Sequence, residues 1–260
     1  MIALKNIDYC IDGKKILHNI NLEFEKGKFY GIIGPNGSGK STLLDVIVGH
    51  KNINKGEILV ENIKMEEYSI LDYAKKIALV PQEFDTHFNY SARDIIEMGR
   101  YPYKKNSNED VVGKEIIDSF ISKFSIKKLI EKSIIEMSGG ERQRVLFIKA
   151  LVQDTDYILL DEATSNLDLY NTHKLMHEIL KEIKEKNKSV IAVIHDMNLA
   201  SLYCDEIIML KNGKVIAMDN KNNVLVKEKI KDLFNVESEI VDIHGKKAIF
   251  SYLNTSKDNI

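Results

Sequence analysis

The sequence has little cysteine, no long apolar run and almost no net charge, and each shortage excludes something. Cys10 and Cys204 are its two cysteines and lie far apart, with no Cys-x-x-Cys pair. Neither a disulfide framework nor a zinc site is expected, and both read as reduced thiols. No apolar stretch approaches the ~18–20 residues that a membrane helix requires. A role at a membrane would therefore need a partner. The opening residues reach Asp8 after one short apolar stretch, which is not the pattern of a signal peptide. With 37 basic against 39 acidic residues the net charge is −2, so nothing biases the chain toward nucleic acid or anionic lipid. The pairs Lys104-Lys105 and Lys127-Lys128 read as solvated faces.

What is present is an ordinary globular composition, 44% hydrophobic and 29% charged over 260 residues. That suffices for one large α/β domain or two small ones. Ile7, Tyr9 and Ile11, then Ile20, Leu22 and Phe24, alternate as strands do, around a turn at Asp12-Gly13. Phe29 to Ile33 is a short apolar strand leading into a glycine-rich loop, and Leu43 to Val48 continues as a helix ending near Gly49. Gly56 to Glu61 and Ile77 to Val80 read as strands. From about Tyr90 to Ala150 the pattern turns helical, with Val111, Glu115, Phe120 and Phe124 in a segment of three- and four-residue spacing. A second α/β stretch follows: strand Tyr157 to Leu160, helix Leu169 to Lys186, strand Val190 to Ile194. Ile207 to Leu210 and Val215 to Met218 flank Asn212-Gly213, a hairpin signal. Short apolar strands alternating with helices predict a mainly parallel sheet. No linker or repeat divides the chain, and the tail beyond about Asn220 reads as a small appendage without a motif.

Gly34-Pro35-Asn36-Gly37-Ser38-Gly39-Lys40-Ser41-Thr42 fits GxxxxGK[ST], with a strand before it and a helix after. Glycines let successive backbone N–H groups converge on phosphate oxygens, and the helix start adds partial positive charge. Lys40 brings a full charge to the terminal phosphates and Ser41 a hydroxyl for Mg²⁺. The plain alternative, a glycine-rich turn with an incidental lysine, does not need that strand and helix. The motif alone implies a nucleoside triphosphate and no more.

Tyr157 to Leu160 runs into Asp161-Glu162. The first carboxylate can hold Mg²⁺ through its water shell, and the second can polarise an attacking water. A strand ending in a solvated acidic turn would look the same. Between these motifs, Met137-Ser138-Gly139-Gly140-Glu141-Arg142-Gln143-Arg144 opens an apolar helix. Ser-Gly-Gly there is either a common N-cap or a second anion nest. A second nest in a chain with one phosphate loop would act in trans, on nucleotide held by another subunit.

In this order, the motifs resemble the ATP-binding cassette (ABC) family over nearly the whole chain. The resemblance implies an α/β P-loop NTPase fold with a RecA-like core, an N-terminal antiparallel β subdomain and a helical subdomain at about 90–150. The whole of 1–260 would form a single cassette, with a small appendage at about 220–260. It implies that Tyr9 stacks on adenine, although a core aromatic is the alternative. Gln82, after Leu79-Val80-Pro81, corresponds to the glutamine that touches Mg²⁺ and senses the membrane partner. Ser165-Asn166-Leu167-Asp168 corresponds to the loop crossing the dimer interface, and His195 to the switch histidine at the γ-phosphate. Catalysis would rest on Glu162, His195 and Lys40. Mg²⁺ would fall to Ser41, Gln82 and Asp161, with Ser138, Gly139, Gly140, Glu141 and Asp168 also at ATP. Met137 and Glu141 replace the commonest Leu and Gln, and Lys149 stands where Arg is frequent.

The implied assembly is a head-to-tail homodimer on transmembrane permease subunits at the cytoplasmic face of the membrane, served indirectly by a substrate-binding protein. No nucleic acid is implied. About a hundred residues without sustained heptads separate loop and signature, unlike DNA-repair cassettes with their long coiled coil. Ribosome-associated cassettes usually come two per chain, and a fused exporter would need membrane spans. Met98-Gly99-Arg100-Tyr101-Pro102-Tyr103 and His195-Asp196-Met197-Asn198-Leu199-Ala200 resemble the importer branch for iron–siderophore, haem and cobalamin. A zinc or manganese importer is the runner-up, and a soluble non-transport cassette comes third. His173 and His177, one helical turn apart, read as a solvated face.

Overall fold

The structure is a computed structural model, and it describes residues 1–103, 111–243 and 246–253. Lys104 and Lys105 lie outside the described residues. The chain divides into two compact units, one formed by Met1–Asn62 with Ile191–Ile260 and the other by Ile63–Val190.

The first unit opens with β1 (Ile2–Ile11) and β2 (Lys14–Phe24). They pair antiparallel across Asp12 and Gly13, whose φ angles of 47° and 76° are the left-handed pair that a tight hairpin demands. Strand β3 (Phe29–Ile33) is buried along its whole length, as a strand covered on both faces must be. Next come α1 (Lys40–Val48), whose C-cap is Gly49 at φ 84°, and β4 (Lys55–Val60), antiparallel to β1. The helix begins three residues before the apolar pattern does, because the loop's own Lys40 to Thr42 form its first turn.

The second unit holds β5 (Ile63–Lys64), α2 (Ile70–Ala74) and β6 (Ile77–Val80), then α3 (Ala92–Met98), α4 (Val111–Lys123) and α5 (Gly139–Val152). The stretch from about 90 to 150 is therefore broken helix. Ser91 and Ser138 each cap a helix and end the irregular run before it, with the side chains of Asp94 and Glu141 closing the capping boxes. Strand β7 (Tyr157–Asp161) runs parallel to β6, Ile77 facing Tyr157 through Val80 facing Leu160. Helix α6 (Leu169–Lys186) buries Leu175, Met176, Ile179 and Ile183 along one stripe. Strand β8 (Ser189–Val193) straddles the division between the units.

The chain returns to the first unit with α7 (Met197–Tyr203), β9 (Glu206–Lys211) and β10 (Lys214–Asn220). Strand β9 is parallel to β3, Tyr30 facing Glu206 through Ile33 facing Met209, and antiparallel to β10. The tail folds as α8 (Lys221–Val224), α9 (Lys227–Phe234) and an antiparallel pair, β11 (Glu237–Ile243) and β12 (Lys246–Tyr252). Asn198 holds β12 to α7, accepting from the Ile249 N–H at 2.8 Å and donating to its carbonyl at 3.3 Å. Ser201 adds a hydroxyl bond to the Lys247 carbonyl at 2.8 Å. No helix among the described residues is long and apolar enough to cross a membrane.

The β9–β10 turn touches the rest of its unit at Gly213. Its φ is 71°, and a Cβ there would lie 1.9 Å from the Ile16 carbonyl oxygen. Gly213→Ala should therefore cost at least about 2 kcal/mol from combined strain and clash. A lower melting temperature is expected, and an unchanged one would contradict the close approach.

Candidate functional site

The sequence-predicted residues fall on both units, and each set is described within its own. In the first unit the loop between β3 and α1 is held by contacts that only glycine permits. A Cβ at Gly34 would sit 2.1 Å from the Leu210 carbonyl oxygen and 2.9 Å from Ser38 Oγ. Gly37 and Gly39 have φ of 75° and 100°. The Gly213 N–H donates to the Ser38 carbonyl at 2.9 Å, tying the β9–β10 turn to the loop. Lys40 is 5% exposed and its ammonium donates to the carbonyls of Gly34 at 2.9 Å and Pro35 at 3.0 Å. The loop thus wraps its own cation.

Two features suit an anion here. Helix α1 has no acidic residue in its first turn and no side-chain cap. A helix start leaves its first N–H groups without intrahelical partners, and carboxylates usually satisfy that polarity. Here it is left for something else. Ser38 is 3% exposed, and its Oγ has no hydrogen-bond partner among the described residues. A buried unsatisfied hydroxyl costs about 1–3 kcal/mol unless a ligand supplies the partner. Sequence reasoning placed Ser38 within the motif but could not find this orphaned hydroxyl, because its lack of a partner is a tertiary fact. Tyr9 lies on β1 opposite Leu17 and is 7% exposed. His195 is exposed just beyond β8, followed by Asp196, which caps α7 through the N–H groups of Asn198 and Leu199.

In the second unit β7 ends at Asp161, and the next residue, Glu162, has φ 48°. A left-handed glutamate carries strain of about 1–2 kcal/mol, of the kind that collects at functional sites. Its Oε2 accepts from Gln82 Nε2 at 2.7 Å. The fold thereby joins two predicted residues eighty positions apart. Ser138 caps α5, accepting from the Glu141 N–H at 3.3 Å while Glu141 accepts from the Ser138 N–H at 2.9 Å. Lys132, 2.8 Å from Glu141, together with that N–H holds the carboxyl below its usual range. Gly139 and Gly140 lie against Asn166, where added Cβ atoms would come within 3.5 Å of its Cβ and 3.1 Å of its carbonyl oxygen. The predicted signature and the Ser165–Asp168 loop are therefore neighbours. Asp168 caps α6 through Asn171, whose N–H and side-chain amide hold its carboxyl below the ordinary carboxylate range.

Gly99 and Arg100 turn out to be packing residues. A Cβ at Gly99 would lie 2.3 Å from the Lys149 carbonyl oxygen, so the turn after α3 is pressed onto α5. Arg100 is 5% exposed, donates to the Val152 carbonyl at 2.9 Å and stacks 3.9 Å over the Tyr103 ring. His177 is exposed on α6 and His173 half-buried. No cluster of three or more metal-ligating side chains occurs among the described residues.

Residues 17–165 match the family profile described as "ABC transporter". The chain belongs to the ABC transporter family. This cassette is 32% identical to the hemin import ATP-binding protein HmuV of Pseudomonas fluorescens (strain Pf0-1), covering 95% of this chain and 97% of that one. The petrobactin import ATP-binding protein YclP of Bacillus subtilis (strain 168) is 29% identical, over 95% and 98%. Among solved structures, a dimeric bacterial ABC transporter cassette superposes with a TM-score of 0.77 at 28% identity, over 85% of this chain and 99% of that one. The cassette has the α/β P-loop architecture, with an N-terminal antiparallel sheet and a helical part.

Lys40→Ala removes the loop's only side-chain cation, and should weaken ATP binding by at least about tenfold, or about 1.4 kcal/mol. Fluorescent-nucleotide titration reads this directly. Unchanged affinity would remove the loop from the binding site.

Proposed function

We propose that this ABC ATPase drives uptake of a metal chelate, first an iron–siderophore complex, with haem and cobalamin as the nearest alternatives. The supporting observation is similarity along almost the whole chain to hemin and petrobactin import ATP-binding proteins. In this reading the cassette works as a head-to-tail dimer, bound through permease subunits to the cytoplasmic face of a membrane. A substrate-binding protein delivers the chelate.

The roles follow from the chemistry of the side chains. The Gly34–Thr42 loop grips the ATP phosphates with backbone N–H groups, Ser38 Oγ and the Lys40 ammonium. Ser41 hydroxyl, Gln82 amide oxygen and Asp161 carboxylate are hard oxygen donors, the kind that suits Mg²⁺. Bound there, that ion would neutralise charge on the phosphates. Glu162 takes the proton of the attacking water, and its bond to Gln82 orients the carboxylate for this. His195 contacts the γ-phosphate, and Tyr9 stacks on adenine. The signature Ser138–Glu141 and Asp168 complete the site of the second copy.

Glu162→Gln preserves shape and hydrogen bonding but removes the base. ATP affinity should stay within about twofold while steady-state hydrolysis falls by at least about a hundredfold. Near-normal hydrolysis would exclude Glu162 as the base. The transport reading is tested by purifying the tagged chain from its own membranes, identifying the permease that accompanies it and reconstituting the complex in nanodiscs. Stimulation of ATPase activity by a ferric-siderophore-loaded binding protein, and not by cobalamin- or zinc-loaded ones, is expected. Stimulation by the zinc carrier alone would overturn the assignment.

A further inference from the structure

Helix α5 encloses a polar side chain that the proposed mechanism has not used. Gln143 is 3% exposed, and its Nε2 has no hydrogen-bond partner among the described residues. A buried amide in that state costs free energy, and native chains keep few of them without a reason.

Its place on the helix shows where the amide is aimed. At about 100° per residue, Gln143 lies within about 60° of both Gly139 and Gly140, in the middle of the face that those glycines open. The Ser165–Asp168 loop crosses that face. A Cβ on Gly139 would lie 3.5 Å from Asn166 Cβ, and one on Gly140 3.1 Å from the Asn166 carbonyl oxygen. A helical side chain leans toward the helix start, over the preceding turn. The Gln143 amide therefore leans toward that carbonyl. Arg144, the next residue, helps to hold the Asp168 carboxyl below its usual range, so a second side chain of this turn faces the same loop. Arg142 also has an enclosed, unpartnered Nε, but it lies about 100° round the helix from Gln143, on the side away from Gly140. The loop in turn leads back to Glu162. The Ser165 N–H donates to the Glu162 carbonyl at 3.0 Å, and the Leu167 N–H to the Thr164 carbonyl at 3.2 Å.

We propose that Gln143 is a positioning residue for hydrolysis: in the nucleotide-closed dimer its amide donates to the Asn166 carbonyl and fixes the loop that leads to Glu162. This rests on the reading of the chain as an ATPase that closes over nucleotide as a dimer. In the free chain Asn166 is exposed and the bond is open. The second copy covers the loop, and the carbonyl comes within reach of the amide.

The test uses Gln143→Met, which keeps the length of the side chain and removes its polar atoms. In the free chain the melting temperature should hold or rise, because no hydrogen bond is lost. In the reconstituted permease complex kcat for ATP hydrolysis should fall at least about fivefold while KM stays within about twofold. A further measurement leaves Gln143 in place. In the Glu162→Gln complex, ATP with Mg²⁺ should slow backbone amide exchange across Ser165–Asp168, and adding Gln143→Met should remove most of that slowing. A lower melting temperature overturns the proposal, since it shows the amide already bonded in the free chain. A smaller fall in kcat overturns it too, as does a larger change in KM, which would place the amide in ATP binding. So does loop exchange that ATP leaves unchanged, or slows equally with and without Gln143. A nucleotide-bound complex holding a single copy of this chain, read by its mass, would instead overturn the dimer reading, a result distinct from a change confined to Gln143→Met.

Discussion

The polarity at the start of α1 is the constraint on which the rest depends. A helix start without a side-chain cap or a first-turn acid is electrostatically unfinished. Around it the chain spends conformational freedom: Gly34 against the Leu210 carbonyl, Gly37 and Gly39 left-handed, Lys40 folded onto the loop's own carbonyls. The Gly213 N–H braces the loop from the β9–β10 turn. A helix start of this kind is completed by an anion more readily than by the loop's own groups. The orphaned Ser38 hydroxyl points to the same conclusion.

A second organising element is α5. Ser138 and Glu141 lock its start, Gly139 and Gly140 admit Asn166 there, and Gly99 and Arg100 grip its far end. A helix of fourteen residues therefore runs from the signature to the turn bearing exposed Tyr101.

Much of the fold was legible where local pattern and local chemistry agree. The α6 stripe spans Leu169 to Lys186 because its apolar spacing runs unbroken from the Asp168 cap. The two hairpins were readable because Asp-Gly and Asn-Gly favour left-handed φ. Helix α1 was read too short because its first turn is the polar phosphate loop itself. The stretch from about 90 to 150 was legible as helical in character, while the bounds of its breaks at Tyr101–Tyr103 and Ile134–Glu136 were not, because both keep an apolar composition. The tail had no readable motif, since β12 is held by side chains on α7 some fifty residues earlier.

For the candidate site, the sequence by itself determined the residue types, because each motif is a short run whose chemistry depends on its immediate neighbours. Gly34 to Thr42 must turn tightly, Ser138 to Glu141 must cap, and β7 must end in carboxylates. The tertiary structure alone decided which of these are partnered. It joined Gln82 to Glu162, set Asn166 against the signature glycines and used Arg100 as a strut. Hydrogen bonds and ion pairs act over a few ångströms in space, and separation along the chain does not specify that distance.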